Sequence, residues 1–163
     1  LELLSPNGWI LTFDLLDSNL FRDLGLIVHE AIWTWQTSPS VDLQVLQKNY
    51  VRFWYCRRGP CGMSRARSAI FTYRLVPRHL KTHDAERPIE LYQEIIDTFT
   101  HAKNLVFSPE VLEGNVLLGS LNCGKACFGY GTNAEFFESF AKKVGAFSPG
   151  HYTSYPANQK MEE

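Results

Sequence analysis

The chain has 163 residues, of which 45% are hydrophobic and 20% charged, with a formal net charge of −1. This length suits one domain with a core of its own, and the composition excludes an intrinsically disordered chain. A net charge this small also excludes a global field that would draw the protein to nucleic acid or to membranes.

The first half of the sequence predicts short strands separated by turns. Residues 5–8 (SPNG) have the residue types of a turn, and the apolar run Trp9–Phe13 follows as a strand. The other elements predicted here are a helix capped by Asp17 and Ser18 and ended by Gly25, strands over 26–36, 50–56 and 69–73, and loops over 37–41 and 57–67.

The second half predicts alternating helices and strands. Pro88 suits the first turn of a helix whose buried face contains Ile89, Tyr92, Ile95, Ile96 and Phe99. Strands are predicted over 105–107 and 126–131, with a helix over 114–122 between them. Thr132 and Asn133 cap a last helix that ends at Gly145, with its inward side chains at Phe136, Phe137, Phe140 and Val144. This order predicts parallel strand pairing in an α/β fold.

One domain is expected over residues 1–148, with halves at 1–80 and 81–148 and a loose tail at 149–163. The sequence contains no run of about 18 apolar residues, which predicts no membrane-spanning helix. Its start lacks the features of a signal peptide, so a cytoplasmic or nuclear location is expected. Because the chain does not begin with Met, we expect it to be a fragment of a longer protein.

Four cysteines form two pairs, Cys56 with Cys61 and Cys123 with Cys127. Two pairs could supply a four-thiolate zinc site, but neither spacing is the C-x2-C of a zinc knuckle. Reduced thiols are the favoured interpretation. The five histidines show no ligand spacing and are expected to be surface or hydrogen-bonded residues, so no metal is expected.

Eight Lys or Arg residues lie between Arg52 and Lys81, with no Asp or Glu among them. A clustered basic segment in a neutral protein predicts a nucleic-acid surface, and a solvated loop is the alternative. Strand aromatics such as Trp54 and Tyr55 could stack on bases, although core packing is their more frequent role. The residues expected to contact nucleic acid are Arg57, Arg58, Arg65, Arg67, Arg74, Arg78 and Lys81.

The order of elements resembles the amino-methyltransferases that modify adenine N6 or cytosine N4 in DNA, in the permuted arrangement. Residues 83–91 (HDAERPIEL) are similar to that family's H-P-T-x-K-P-x-x-L. Residues 105–138 (LVFSPEVLEGNVLLGSLNCGKACFGYGTNAEFFE) follow its cofactor half without a gap. Residues 3–13 and 50–59 resemble strands of its other half.

The resemblance implies an α/β fold of the S-adenosylmethionine-dependent, Rossmann-like type. Its sheet would be mostly parallel with an antiparallel portion, and helices would cover both faces. In such a fold the cofactor positions would be Arg87, Pro88, Ser108, Pro109, Glu113, Gly114, Asn115 and Gly131.

The sequence departs from the family at the positions that hold the cofactor. Ser108 and Gly131 stand where the family has carboxylates, and residues 111–115 (VLEGN) replace a glycine-rich turn. Each lost charge-assisted hydrogen bond costs about 1.5–3 kcal/mol, and Glu113 would repel the cofactor's carboxylate. No cofactor is therefore expected.

The tetrapeptide (D/N/S)-P-P-(Y/F/W), which orients the target amine in the family, is absent, so no catalytic residue is expected. It would lie on a strand between the cofactor strand and Trp9–Phe13. We therefore expect a degenerate methyltransferase-like domain that binds DNA or scaffolds a partner. The alternatives are an active S-adenosylmethionine-dependent DNA methyltransferase, with the motif upstream or on a partner chain, and a structural remnant in a larger assembly.

Overall fold

Four strands form one mixed sheet. The computed structural model describes residues 4–13, 19–36 and 46–147. In spatial order the strands are β1 (Trp9–Phe13), β3 (Tyr50–Arg57), β2 (Ile27–Thr34) and β4 (Ile70–Thr72). Strand β3 is antiparallel to β1 and to β2, while β4 runs parallel to β2.

Two further strands form a separate parallel pair. Strand β5 (Leu105–Ser108) lies beside β6 (Ala126–Gly129), with Val106 opposite Cys127. Helix α3 (Asn115–Asn122) makes the crossover between them. The parallel pairing predicted for the second half is confirmed. Among the described residues no strand pairing joins β5 or β6 to the four-stranded sheet.

Helix α2 (Ile89–Phe99) connects the two sheets through its packing. Its apolar face joins the core of the four-stranded sheet, and the helix also packs on α3, which contacts β5 and β6. The buried side chains of this core are Ala31, Trp33, Phe53, Phe71, Leu91, Ile95 and Phe99. The helical spacing that predicted the buried face of α2 therefore identified the element that holds the sheets together.

The remaining helices are short or lie at the end of the described chain. They are α1 (Asn19–Asp23), a 3₁₀ helix over Arg78–Leu80 and α4 (Ala134–Phe147). The predicted caps Asp17 and Ser18, the loop 37–41 and the tail 149–163 lie outside the described residues. No helix in the ranges that the structure describes is long and apolar enough to cross a membrane.

Two predictions for the last helix and one for β6 are wrong. Helix α4 continues through Gly145 to Phe147, since one interior glycine costs only about 1 kcal/mol and Val144 beside it is fully buried. Phe137 is 45% exposed, because the inward stripe follows the four-residue spacing of Phe136, Phe140 and Val144, of which the first two are half-buried and the last is buried. Strand β6 ends at Gly129 rather than at residue 131.

The α/β class predicted from the resemblance is confirmed. Of the four strand pairings in the described residues, two are parallel and two antiparallel. One face of the β5–β6 pair presents large apolar side chains to solvent: Leu105 is 64% exposed, and the stacked rings of Phe107 and Phe128 are 43% and 57% exposed.

Candidate functional site

The carboxyl ends of β5 and β6 are where open α/β sheets bind ligands, and here a loop side chain occupies that space. The backbone N–H of Val111 donates to the carbonyl of Tyr130 at 2.7 Å, which draws the loop after β5 across the end of β6. A Cβ built on Gly129 would overlap Cγ2 of Val111, and one on Gly131 would lie 3.2 Å from its carbonyl oxygen. Val111 therefore fills the gap between the strand ends.

The cavity that remains at these strand ends, here called the carboxyl-end cavity, has a volume of about 40 Å³. Sites for small molecules usually have about 300–1,000 Å³, so this space suits about one water. Five predicted cofactor positions line it, namely Arg87, Ser108, Glu113, Gly114 and Asn115. The other three lie elsewhere: Pro88 is the N-cap of α2, Pro109 is exposed and Gly131 lies beside Val111.

The amino end of α3 is covered by α4. Gly114 precedes the helix in a left-handed backbone conformation with φ of 79°, which residues other than glycine rarely adopt. The ring of Phe140 occupies the position that a Cβ on Gly114 would take. Helix α4 thus lies against the turn that, in Rossmann-like folds, approaches a ligand with its backbone N–H groups.

Glu113 is paired within the protein. Its carboxyl group is 6% exposed, and Oε2 lies 2.6 Å from Nε2 of His83. The His83 ring also packs on the ring of Phe136, with centroids 5.4 Å apart. The histidine is therefore a hydrogen-bonded residue, as its isolated spacing predicted. The Glu113 carboxyl group, which was expected to face the cofactor, is bonded to this histidine instead.

A second buried carboxylate, Glu86, is held by four donors, and we call these residues the Glu86 cluster. Its Oε2 accepts from the backbone N–H and the hydroxyl of Thr82, at 2.6 and 3.0 Å. Its Oε1 accepts from Nδ2 of Asn115 and from Nζ of Lys143, each at 3.1 Å. Asn115 also donates to the carbonyl of Arg87 at 2.8 Å. The cluster therefore ties α3 and α4 to the turn before α2.

The Glu86 cluster keeps its carboxyl group ionised. Burial by itself raises the pKa of Glu86, but the hydrogen bonds from Thr82 and Lys143 and the ammonium charge outweigh it and hold the pKa below the usual value. Sequence reasoning missed Glu86 and Lys143, because they lie 57 residues apart and only the packing of α4 brings them together.

Two of the predicted nucleic-acid contacts are engaged inside the protein. Arg65 and Arg67 both pair with Glu94 on α2, and Arg65 also reaches Asp97 at 3.1 Å. The guanidinium of Arg67 lies over the ring of Phe71, 3.6 Å from its centroid. These contacts fasten the basic segment to α2 and neutralise much of the charge of these two arginines.

Tyr73 adds to the same arrangement around Glu94. Its hydroxyl donates to Oε2 of Glu94 at 3.2 Å. Burial, followed by the negative charge of Glu94, raises the pKa of Tyr73 above its usual value. The phenol therefore remains a donor, and Glu94 is bound by three side chains from the basic segment.

Of the other predicted contacts, Arg57 and Lys81 are half-buried. Arg57 donates to the carbonyl of Gly59 at 2.7 Å, and no acidic side chain of the described residues pairs with it. Lys81 donates to the carbonyl of Asp84 at 2.8 Å. The predicted contacts that are exposed at the surface are Arg58, Arg74 and Arg78.

Beside Arg57 the surface opens into a larger cavity of about 430 Å³, here called the basic cavity. Its walls include Trp9, His29, Tyr55, Arg57 and Arg65. The cavity is about ten times as large as the carboxyl-end cavity. It therefore has the volume of a small-molecule site, whereas the space at the strand ends does not.

The two cavities lie at opposite ends of β1 and α2. Trp9, the first residue of β1, lines the basic cavity and packs on Phe99 at the end of α2, with ring centroids 5.1 Å apart. Phe13, the last residue of β1, packs on Tyr92 near the start of α2 and lies 4.2 Å below the guanidinium of Arg87. An 11-residue helix is about 16 Å long, so the cavities are distinct.

All four cysteines are free thiols. Burial raises the pKa of Cys56, Cys123 and Cys127, which disfavours the thiolate that a metal would need. Within residues 4–13, 19–36 and 46–147, no group of three or more His, Cys, Asp or Glu side chains could hold a metal ion.

The sequence matches no protein-family model and no curated protein sequence. Solved structures of DNA methyltransferases nevertheless share its fold. The M1.HpyAVI–SAM complex superposes with a TM-score of 0.71 at 15% identity, covering 86% of this chain and 76% of that one.

Two further structures give the same result. A putative DNA modification methylase from Thermus thermophilus, TTHA0409, superposes with a TM-score of 0.68 at 17% identity, covering 91% of this chain and 74% of that chain. The cytosine-N4-specific PvuII DNA methyltransferase superposes with a TM-score of 0.65 at 13% identity, covering 85% of this chain and 64% of that chain. The chain therefore has an amino-methyltransferase-like fold, as the resemblance implied.

Proposed function

We propose that this chain is a DNA methyltransferase-like domain with a closed cofactor cleft, and that it binds nucleic acid through its basic segment. The observation that carries the proposal is the position of Val111 against Gly129. It leaves about 40 Å³ at the strand ends, the place where Rossmann-like folds bind their ligands. S-adenosylmethionine would need several times that volume.

The polar groups around the closed cleft support the same proposal, because they bond to one another. Glu113 is hydrogen-bonded to His83, and Asn115 to Glu86 and Lys143. The hydroxyl of Ser108, which stands where the family has a carboxylate, donates to the carbonyl of Glu110 at 3.0 Å. A cofactor would have to break these bonds as well as displace Val111, and each buried bond left unmade costs about 1–3 kcal/mol.

The basic segment would provide the nucleic-acid surface in this proposal. Arg57 and Arg58 at the end of β3 would contact phosphates, with Arg74, Arg78 and Lys81 extending the positive surface. Arg65 and Arg67 would hold the segment in position through Glu94. Because Arg57 lies at the end of β1 away from the carboxyl-end cavity, binding would not require the cofactor cleft.

Titration of a short DNA duplex at several salt concentrations tests the proposed binding. Replacing both Arg57 and Arg58 by Ala leaves two phosphates without a cation, so we expect weaker binding and a salt slope shallower by about 0.9 for each of these phosphates. The control replaces Lys103 and Lys142, two exposed lysines outside the basic segment, by Ala. Binding that is indifferent to salt, or a control that weakens binding equally, would reject the assignment.

A second candidate function, an active S-adenosylmethionine-dependent DNA methyltransferase, is favoured by the open edges of the sheets. Among the described residues β1 has a strand partner on one side only, and so does β5. A strand carrying the missing tetrapeptide, from elsewhere in a longer polypeptide or from a partner chain, would satisfy those backbone groups. Methyl transfer to DNA by this domain, alone or with such a partner, would support this candidate over the proposed one.

In a second form of the proposal, the domain serves as a scaffold for a partner protein. The exposed apolar side chains Leu105, Phe107 and Phe128 form the kind of surface that proteins usually cover. A domain that binds neither nucleic acid nor cofactor would retain only this role, that of a structural remnant in a larger assembly. The same DNA titration distinguishes it, since the basic segment would then be only solvated.

A further inference from the structure

The basic cavity has a composition that the methyltransferase-like fold does not explain. Its wall is built from the end of β3, the start of β1, the first half of the neighbouring strand β2 and the loop that contains residues 61–66. The imidazole of His29 stacks on the ring of Tyr55, with centroids 5.1 Å apart and planes 20° apart. Trp9 lies against the same tyrosine, at 5.9 Å. Three π-systems therefore surround one opening on the surface.

The polar groups of the basic cavity are mainly hydrogen-bond donors. Arg57 uses one of its five N–H groups on the Gly59 carbonyl and has no acidic partner in the part of the chain that the structure describes. Arg65, which also lines the cavity, is balanced by Glu94 and Asp97. Arg57 is therefore the cation of this cavity with its charge available.

The indole of Trp9, which lines this wall, carries a donor without a partner. Its Nε1–H is buried and has no acceptor, and within the described residues it is the one buried side-chain nitrogen or oxygen atom in this state. Buried donors are nearly always satisfied in folded proteins. Within the described residues, the wall of this cavity thus contains a cation without an acidic partner and a buried donor without an acceptor.

We propose that the basic cavity receives one unstacked nucleobase together with its phosphate. The base would stack on the exposed imidazole of His29 and its partner Tyr55, and the phosphate would bind the guanidinium of Arg57. The volume of about 430 Å³ is sufficient for a nucleotide. This inference deepens the proposed function, because it assigns the basic segment to single-stranded nucleic acid. Binding of a nucleotide within a strand rests on the proposed function, whereas binding of a free nucleotide does not.

The same chemistry occurs in a free nucleotide and in a strand, so the experiment uses both. Adenosine monophosphate and inorganic phosphate are titrated calorimetrically, and a single strand of about 12 nucleotides, near the upper site sizes known for such proteins, is titrated by fluorescence anisotropy beside a duplex of the same length. The variants are His29→Ala, which removes an exposed ring, Tyr55→Leu, which keeps apolar bulk in the wall, and Arg57→Ala. Lys142→Ala is the control, because Lys142 is exposed on α4 and does not line the cavity.

We expect His29→Ala and Tyr55→Leu each to weaken binding of the single strand by about five- to tenfold, the lower part of the range for one stacked base. Duplex binding should change less than twofold in His29→Ala. Adenosine monophosphate should bind at least tenfold more tightly than phosphate, and Arg57→Ala should weaken it. The Lys142→Ala variant should bind as the unmodified protein does.

Each outcome decides between the two proposals. If the strand binds but His29→Ala and Tyr55→Leu leave its affinity unchanged, the nucleobase site is refuted and the proposed nucleic-acid binding survives. If adenosine monophosphate binds in an Arg57-dependent way but neither nucleic acid does, the site holds a free nucleotide and the proposed function falls. If only the duplex binds, the nucleobase site is refuted and the proposed nucleic-acid binding survives. If the nucleotide, the strand and the duplex all fail to bind, both proposals are overturned.

Discussion

The side chain of Val111 lies directly against the backbone of Gly129, so that the loop after β5 rests on the end of β6. The carbonyl of Tyr130, the next residue, accepts a hydrogen bond from the backbone N–H of Val111 at 2.7 Å. The N–H of Tyr130 donates to the carbonyl of Ser108 at 3.1 Å. This contact lies at the carboxyl ends of the two strands, where a Rossmann-like fold holds its ligand. Its consequences for stability and for ligand binding can both be measured.

Replacing Gly129 by Ala should destabilise the protein by about 1–3 kcal/mol, because the new Cβ would overlap Cγ2 of Val111 and lie 2.9 Å from Cδ1 of Leu117. Urea unfolding measures the change. Adding Val111→Ala should recover part of the loss, since it removes the overlapping methyl group.

Gly62→Ala is the matched control for that substitution. No atom lies within 4 Å of the position that its Cβ would take, so its stability should change by less than about 0.5 kcal/mol. If Gly129→Ala were as stable as Gly62→Ala, the contact between Val111 and Gly129 would not exist as described.

Replacing Glu86 by Gln should cost about 2–4 kcal/mol at pH 7, because the buried carboxylate accepts four hydrogen bonds and pairs with Lys143. The pKa of Glu86 is lowered in the folded state, so its contribution to stability is present above the unfolded value of 4.5. It is lost as the pH falls through the lower, folded pKa.

The difference in unfolding free energy between the unmodified protein and Glu86→Gln should therefore shrink as the pH is lowered below about 4.5. Glu138→Gln, at an exposed position of α4, serves as the control and should cost little at any pH. A difference for Glu86→Gln that stays constant from neutral to strongly acidic pH would contradict the ionised, donor-bound carboxylate.

The pair formed by His83 and Glu113 should show a coupling energy. The two side chains are 30 residues apart in sequence and lie 2.6 Å apart in the fold, with Glu113 buried. In a double-mutant cycle built on His83→Ala and Glu113→Ala, we expect an interaction energy of about 1–3 kcal/mol in urea unfolding. Strictly additive single changes would show that the two groups do not bond.

Replacing Arg67 by Ala should reduce stability more than it reduces nucleic-acid binding. Arg67 pairs with Glu94 and stacks over Phe71, so its loss should destabilise the fold by about 1–2 kcal/mol and leave affinity for DNA within about twofold. Thermal unfolding and DNA titration of the same sample measure both. If Arg67→Ala weakened DNA binding as strongly as Arg57→Ala, Arg67 would be a phosphate contact.

Local sequence signals predicted most of the elements. The apolar and aromatic runs predicted β1 with its observed bounds. They predicted the bounds of β3, β5 and α3 to within one residue. The helical spacing of Ile95, Ile96 and Phe99 gave α2 and its buried face. These elements were predictable because propensity, pattern and tertiary packing favour the same structure in them.

The composition of the carboxyl-end cavity depended on packing that the sequence does not reveal. The replacement of the glycine-rich turn was visible at Val111, but the partner of that side chain, Gly129, is defined only by the register of β5 with β6. Glu113 was expected to face the cofactor, and its bond to His83 arises because the turn before α2 lies over the loop. Long-range pairs of this kind carry no local pattern.

The position of the basic segment in the structure also could not be predicted without the fold. Antiparallel pairing sets Arg57 opposite Trp9, at the start of β1, and so places the arginine at the end of the sheet away from the carboxyl-end cavity. The engagement of Arg65 and Arg67 by Glu94 followed only from the packing of α2. Charge clustering identified the segment, but it could not identify the arginines that pair with Glu94.

Isothermal titration with S-adenosylhomocysteine tests the closed cleft most directly. With Val111 seated on Gly129 and about 40 Å³ left at the strand ends, we predict no measurable heat of binding up to millimolar ligand. Micromolar affinity, with one ligand bound per chain, would contradict the account and would favour an active methyltransferase.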